Sequence, residues 1–129
     1  MRTGYSTPEY RLVIPGRAFS FRSLKAIAYK ELIRSIARGI FSEPLSTYNI
    51  EVRIDYFHVH RRRVDMDNVA KCILDALNGL AYHDDAQVRI ERATAYSLHE
   101  PVYIPGGPVD LVKPLAQYDE YIFIRIRET

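Results

Sequence analysis

From Tyr48 to about His60 the chain alternates in polarity and is rich in Val, Ile, Tyr and Phe, the pattern of a long strand. A segment of helical period lies on either side of it. Between about Leu24 and Ile40, one apolar face is marked by Ala26, Tyr29, Leu32, Ile33, Ile36, Ala37 and Ile40. Between Asn68 and Leu80 a second is marked by Val69, Cys72, Ile73, Ala76, Leu77 and Leu80, with Asn78-Gly79 as its stop. Neither helix can hide its stripe alone, so both need a sheet to cover. Further strands are predicted from Tyr10 to Ile14, closed by Pro15-Gly16, and from about Val88 to Tyr96. A last one runs from about Glu120 to Arg127, with Tyr121, Phe123 and Arg125 on one face and Ile122, Ile124 and Ile126 on the other. Between Leu98 and Gln117, Pro101, Pro105, Gly106, Gly107, Pro108 and Pro114 predict a long loop with room for a short hairpin or strand. The order β-α-β-α-β-β predicts a mixed sheet packed by two main helices, an α/β (α+β) fold. With 129 residues, 47% of them hydrophobic, the chain suffices for one core and is too short for two ordinary domains, so a single domain over residues 1–129 is expected.

A net charge of +2 excludes any argument from whole-chain charge, and a nucleic-acid surface must come from local clustering. Met1 to Ser6 lacks an apolar signal core, and no run approaches the roughly 18 apolar residues of a membrane helix. A soluble, cytoplasmic protein with no membrane partner is expected. Cys72 is the single cysteine, which excludes an intrachain disulfide and a cysteine zinc cluster.

The chemistry concentrates between Arg61 and Gln87. Asp65, Asp67, Asp84 and Asp85 are hard oxygen donors suited to Mg²⁺ or Mn²⁺, and Arg61, Arg62 and Arg63 just upstream suit a phosphate backbone. Asp65 and Asp67 are two apart at a strand-to-helix junction, where an extended backbone would project both to one side. The plain alternative makes Asp67 a helix cap, Asp65 a surface turn acid, and Asp84 and Asp85 turn residues before a strand. At about 100° per residue, Asp67, Lys71, Asp75 and Asn78 share one polar arc of the helix. Lys71 is placed either for an ion pair with Asp67 or Asp75, or to hold a scissile phosphate. On the earlier helix Lys30, Arg34 and Arg38 form a basic stripe, readable as a solvated face or as a DNA contact.

The run Asp65-x-Asp67-Asn68-x-x-Lys71-x-x-x-Asp75-Ala76-Leu77-x-Gly79, followed by Asp84-Asp85-x-Gln87-Val88, resembles the RusA family of Holliday junction resolvases, small phage and prophage endodeoxyribonucleases. The size and the order of predicted elements extend the resemblance over the whole chain. It implies a RusA-like homodimer that uses Mg²⁺, with Mn²⁺ as the alternative, to cut four-way DNA junctions by paired symmetric incisions in recombination and repair. Asp65, Asp67 and Asp85 match the catalytic, metal-holding acids, and Lys71 the catalytic lysine. Asn68, Asp75 and Asp84 match motif positions of secondary or structural role. Several relatives place an arginine or proline just before the first aspartate, where this chain has Val64, so arginine contacts are expected from Arg61, Arg62 or Arg63.

The implied mechanism is metal-assisted hydrolysis, in which the ion lowers the pKa of a bound water or one carboxylate acts as the base, leaving 5′-phosphate and 3′-hydroxyl ends. His58 and His60 alternate before the arginines, as part of a phosphate surface or as structural residues, whereas His83 and His99 are expected in exposed connections. The ten tyrosines either stack on unpaired bases or fill core and interface. Two other functions remain: a structure-specific nuclease acting on other branched DNA, flaps or single strands, and a DNA-junction-binding module without catalysis. The set Asp65, Asp67, Lys71 and Asp85 favours the enzyme, because clustered acids repel phosphate without a cation.

Overall fold

The computed structural model describes residues 8–104 and 107–129. Met1 to Ser6, read above for a leader, and Pro105 and Gly106 of the long connection lie outside the described residues. Strand β1 spans Glu9–Pro15, helix α1 Ala26–Arg38, strand β2 Ile50–His58, helix α2 Met66–Leu77, strand β3 Val88–Ser97 and strand β4 Tyr121–Glu128. The β-α-β-α-β-β order is as expected. The sheet runs β1-β4-β2-β3 and is mixed, with β2 parallel to β3 and antiparallel to β4.

Both helices lie on one face, where Leu12, Ile14, Ile50, Val52, Ile54, Tyr56, Ile122, Ile124 and Ile126 meet the apolar stripes of α1 and α2. The stripe of α1 is narrower than its period suggested. Ala26, Tyr29, Ile33 and Ala37 are buried while Leu32 and Ile40 are exposed; Ile40 already belongs to the turn after the helix, which ends at Arg38. Helix α2 starts two residues earlier than predicted, since Asp65 is its cap, and stops at Leu77. Asn78 then leaves helical geometry, and Gly79 takes φ +81°, a left-handed conformation that costs a side-chain-bearing residue roughly 1–2 kcal/mol.

The other face is covered by the long connection. Phe57, Tyr121 and Phe123 pack there against Leu111. Among the described residues this connection forms neither a hairpin nor a strand, only two short 3₁₀ turns at Val109–Leu111 and Lys113–Ala116. Tyr121 Oη donates to the Leu111 carbonyl at 2.6 Å and pins the first of them. Farther along this face the sheet is covered by its own charges: Arg125 reaches Asp55 at 2.9 Å, and Glu51 accepts from Arg53 at 2.8 Å and Arg127 at 2.7 Å. Strand β2 is consequently buried on both faces despite its alternating sequence.

Candidate active site

Parallel pairing of β2 with β3 sets where the motif residues end up. The connection leaving β2 and the start of α2 lie at the carboxyl ends of the two parallel strands, the usual place for a ligand cleft in such a unit. The chain must then return the length of α2 before β3 can begin beside Ile50, the first residue of β2. Twelve helical residues carry it about 18 Å.

At the first end an open cleft of about 490 Å³ is lined by Arg63, Val64, Asp65, Met66 and Asp67. Asp65 is the helix cap, accepting from the Asn68 backbone N–H at 3.3 Å and from Asn68 Nδ2 at 2.6 Å. Asp67 is already inside the first helical turn, so the two acids are not adjacent teeth of an extended strand, and Asp65 rather than Asp67 makes the cap. Both are exposed, and a carboxylate holding two donors keeps lone pairs for a cation. Asn68 thus has a visible task, orienting Asp65. Lys71, one turn on, makes no ion pair with Asp67 or Asp75; its Nζ lies 4.7 Å from the centre of the Phe21 ring. Phe21 is held there by its backbone N–H, which donates to the Asn68 carbonyl at 2.9 Å.

Asp85 belongs to the second end. Its carboxyl is pushed up by burial, by a hydrogen bond with Asp84, and by the charges of Asp84 and Asp75. Gln87 builds this turn. Its Oε1 accepts from the His83 and Asp84 backbone N–H groups at 2.8 and 3.0 Å, and its Nε2 donates to the Leu45 and Thr47 carbonyls at 2.7 and 2.8 Å. Asp75 is paired with Lys30 at 2.9 Å. Hard-oxygen chemistry suits a divalent cation at either end, but one chain does not assemble the expected trio of Asp65, Asp67 and Asp85. Among the described residues no three His, Cys, Asp or Glu side chains converge as a metal site.

The basic residues divide as well. Arg61, Arg62 and Arg63 are exposed on the connection that leads to Asp65. Lys30 and Arg34, expected as DNA contacts, are turned onto α2: Lys30 holds Asp75, and Arg34 donates to the carbonyls of Ala76 at 2.9 Å and Asn78 at 3.3 Å. Their spacing made a stripe, but the stripe faces the neighbouring helix, and of the three only Arg38 is exposed.

One organising residue had no signal in the sequence. Glu120, at the threshold of β4, accepts from Tyr56 Oη at 2.7 Å, Val59 N at 3.0 Å and His60 N at 3.3 Å, tying down the first residues of the arginine connection. Burial alone would raise its pKa, but the donors from Tyr56, Val59 and His60 prevail and hold it below the ordinary 4.5. A depressed carboxyl stabilises the fold above its unfolded pKa, and that stability is lost as pH falls through the folded value. Glu120→Gln is therefore expected to flatten the acid limb of stability below about pH 4.5, as read from denaturant midpoints at stepped pH. An unchanged acid limb would show that these donors do not stabilise the charged form.

No helix among the described residues is long and apolar enough to cross a membrane. No curated protein matches the chain significantly. The family model described as Endodeoxyribonuclease RusA matches residues 16–104, a stretch that contains α1, β2, α2, β3 and every acid and arginine of both ends. The chain belongs to the RusA family of endodeoxyribonucleases.

Proposed function

We propose that this protein is a Mg²⁺-dependent endonuclease, with Mn²⁺ as the alternative, that resolves four-way DNA junctions by paired incisions. It acts as a cytoplasmic homodimer in phage-related recombination and repair. The observation that carries the reading is the exposed set Asp65, Asp67 and Lys71 on one end of α2, beside Arg61 to Arg63 and inside the family-matched segment. Asp67 and Asp65 would hold the ion, whose part is to lower the pKa of a bound water and neutralise the phosphate. Lys71 holds a non-bridging phosphate oxygen, and Arg61, Arg62 and Arg63 take the flanking backbone. The Phe21 ring faces the Lys71 ammonium and narrows its positions, which reduces the entropy lost on binding.

Asp85 stands a helix length from that cleft, so it reaches a cation held by Asp65 and Asp67 only from a second copy. A two-fold dimer with α2 helices paired head to tail gives two such sites, one per strand to be cut. Dimerisation then does more than double the enzyme: it completes each acid set.

The test incubates the protein with a four-way junction, a flap and a linear duplex, each with Mg²⁺ or with chelator. Metal-dependent, paired cutting of the junction alone is the expected result. Equal cutting of all three substrates would retain the nuclease and discard junction preference. Retardation of the junction on a gel with no incision in any metal would leave a binding module.

A further inference from the structure

Adjoining the acidic cleft along the arginine connection lies a second cleft, of about 370 Å³, lined by His58, His60, Arg61, Arg62, Arg63, His99 and Ser97 among others. Arg63 and Val64 line both clefts, so the two are neighbours. Three imidazoles gathered beside three guanidiniums are unfavourable in water unless an anion joins them or the rings stay neutral.

The hydrogen bonds show which ring nitrogens donate to the protein. His58 Nδ1 donates to the His60 carbonyl at 3.0 Å, which leaves Nε2 as its lone-pair nitrogen. His99 Nε2 donates to the Val59 carbonyl, and its Nδ1 accepts from Arg61 at 3.5 Å. Tyr56 gives its proton to Glu120, so His60 Nε2 donates to Tyr56 Oη at 3.4 Å, while His60 Nδ1 is buried without a partner. The rings of His58 and His60 stack at 4.5 Å. Each ring therefore turns a donor nitrogen to the protein, and its second nitrogen makes no donor bond to a protein carbonyl or hydroxyl.

We propose that this histidine cleft is a second phosphate subsite, which takes a backbone phosphate of the bound DNA next to the scissile one and takes up a proton as it does so. The proposal rests on the DNA-cutting function above and names a further contact for it. The proton comes from water and ends on His58 Nε2 or His99 Nδ1; in the second case Arg61 is released from the ring and freed for the phosphate. His60 is the poorest acceptor. Burial lowers its pKa most, Glu120 raises it, and His58 and Arg17 lower it again. The groups facing the rings are Tyr56 from β2, Ser97 from β3, Glu100 after it, Arg17 from the turn after β1, Glu120 before β4, and Arg61 to Arg63. Glu120 is consumed by its own donors, and among the described residues Glu100 is the one acid lining the cleft, against three arginines.

Because imidazole titrates near pH 6.5, DNA affinity is expected to weaken about tenfold from about pH 6 to about pH 8 at constant salt. The measurement is fluorescence anisotropy of labelled duplex and junction with chelator present, so that nothing is cut. His99→Gln, which keeps a donor for Val59, should reduce that slope, and His83→Gln, at the other end of α2, should leave it unchanged. In parallel, the histidine ring resonances of the unaltered chain are followed by NMR with inorganic phosphate and with duplex. Movement with both supports a subsite for DNA phosphate, whereas movement with inorganic phosphate alone would overturn the assignment to DNA. Affinity independent of pH, with Mg²⁺-dependent cutting intact, would sink the subsite and spare the nuclease. A pH slope carried by His99 in a protein that cuts nothing would do the reverse.

Discussion

Asp67→Asn is expected to lower metal-dependent strand scission by roughly 10²–10³-fold, the scale for loss of one charge aimed at a transition state, with little change in unfolding free energy. Asp67 is exposed and makes no hydrogen bond with another side chain among the described residues, so the fold has little reason to notice its loss of charge. Asp85→Asn should be comparably inactive. The informative experiment mixes the two. If one site uses Asp67 of one copy and Asp85 of the other, a heterodimer has one site with both defects and one with neither. Joint refolding of equal amounts would restore about a quarter of the sites and produce nicks rather than paired cuts. If each site drew all its acids from one chain, every site in the mixture would carry a defect, and no activity would return. Recovery or its absence thus decides between the two arrangements without a structure of the dimer.

Gln87→Leu should cost roughly 2–6 kcal/mol of stability, from four net hydrogen bonds of about 0.5–1.5 kcal/mol each, against the 5–15 kcal/mol that holds a typical domain. Gln87 is buried, and its amide is fully used: two backbone N–H groups at one end and two carbonyls at the other. A leucine of similar volume fills the space and leaves His83 N, Asp84 N, Leu45 O and Thr47 O unpaired. Denaturant unfolding gives the stability loss. Cutting assayed well below the new midpoint should also fall, because the turn carrying Asp84 and Asp85 is no longer held. A loss below about 1 kcal/mol would mean that water replaces these bonds with little penalty. In the family motif Gln87 is only a spaced letter; its four bonds explain why an amide stands there, since neither a carboxylate nor a lysine offers both donors and acceptors.

The elements themselves were readable because each rests on local physics. Period-two runs made β1 to β4, period-3.6 runs made α1 and α2, and the Asn78-Gly79 stop sits where the chain turns left-handed. The split of β4 into an Ile122, Ile124 and Ile126 face and a Tyr121 and Phe123 face also holds, since side-chain alternation survives any sheet topology. Failures came where a neighbour distant in sequence decides. Lys30 and Arg34 looked solvent-facing by spacing, but α2 offered Asp75 and the carbonyls of Ala76 and Asn78. Glu120 lay 64 residues from Tyr56 with nothing to connect them until β4 entered the sheet beside β2.

The sequence alone singled out the candidate residues, Asp65, Asp67, Lys71 and Asp85 at spacings that resemble the family motif, with Arg61 to Arg63 upstream. What it left to the tertiary structure was their distance in space. Proximity along the chain suggested one crowded centre, but a parallel β2-α2-β3 crossover places the residues after the first strand and those before the second at opposite ends of the sheet, a helix length apart. Parallel pairing is settled by which strands bury which faces together, a property of the whole core and not of any local pattern.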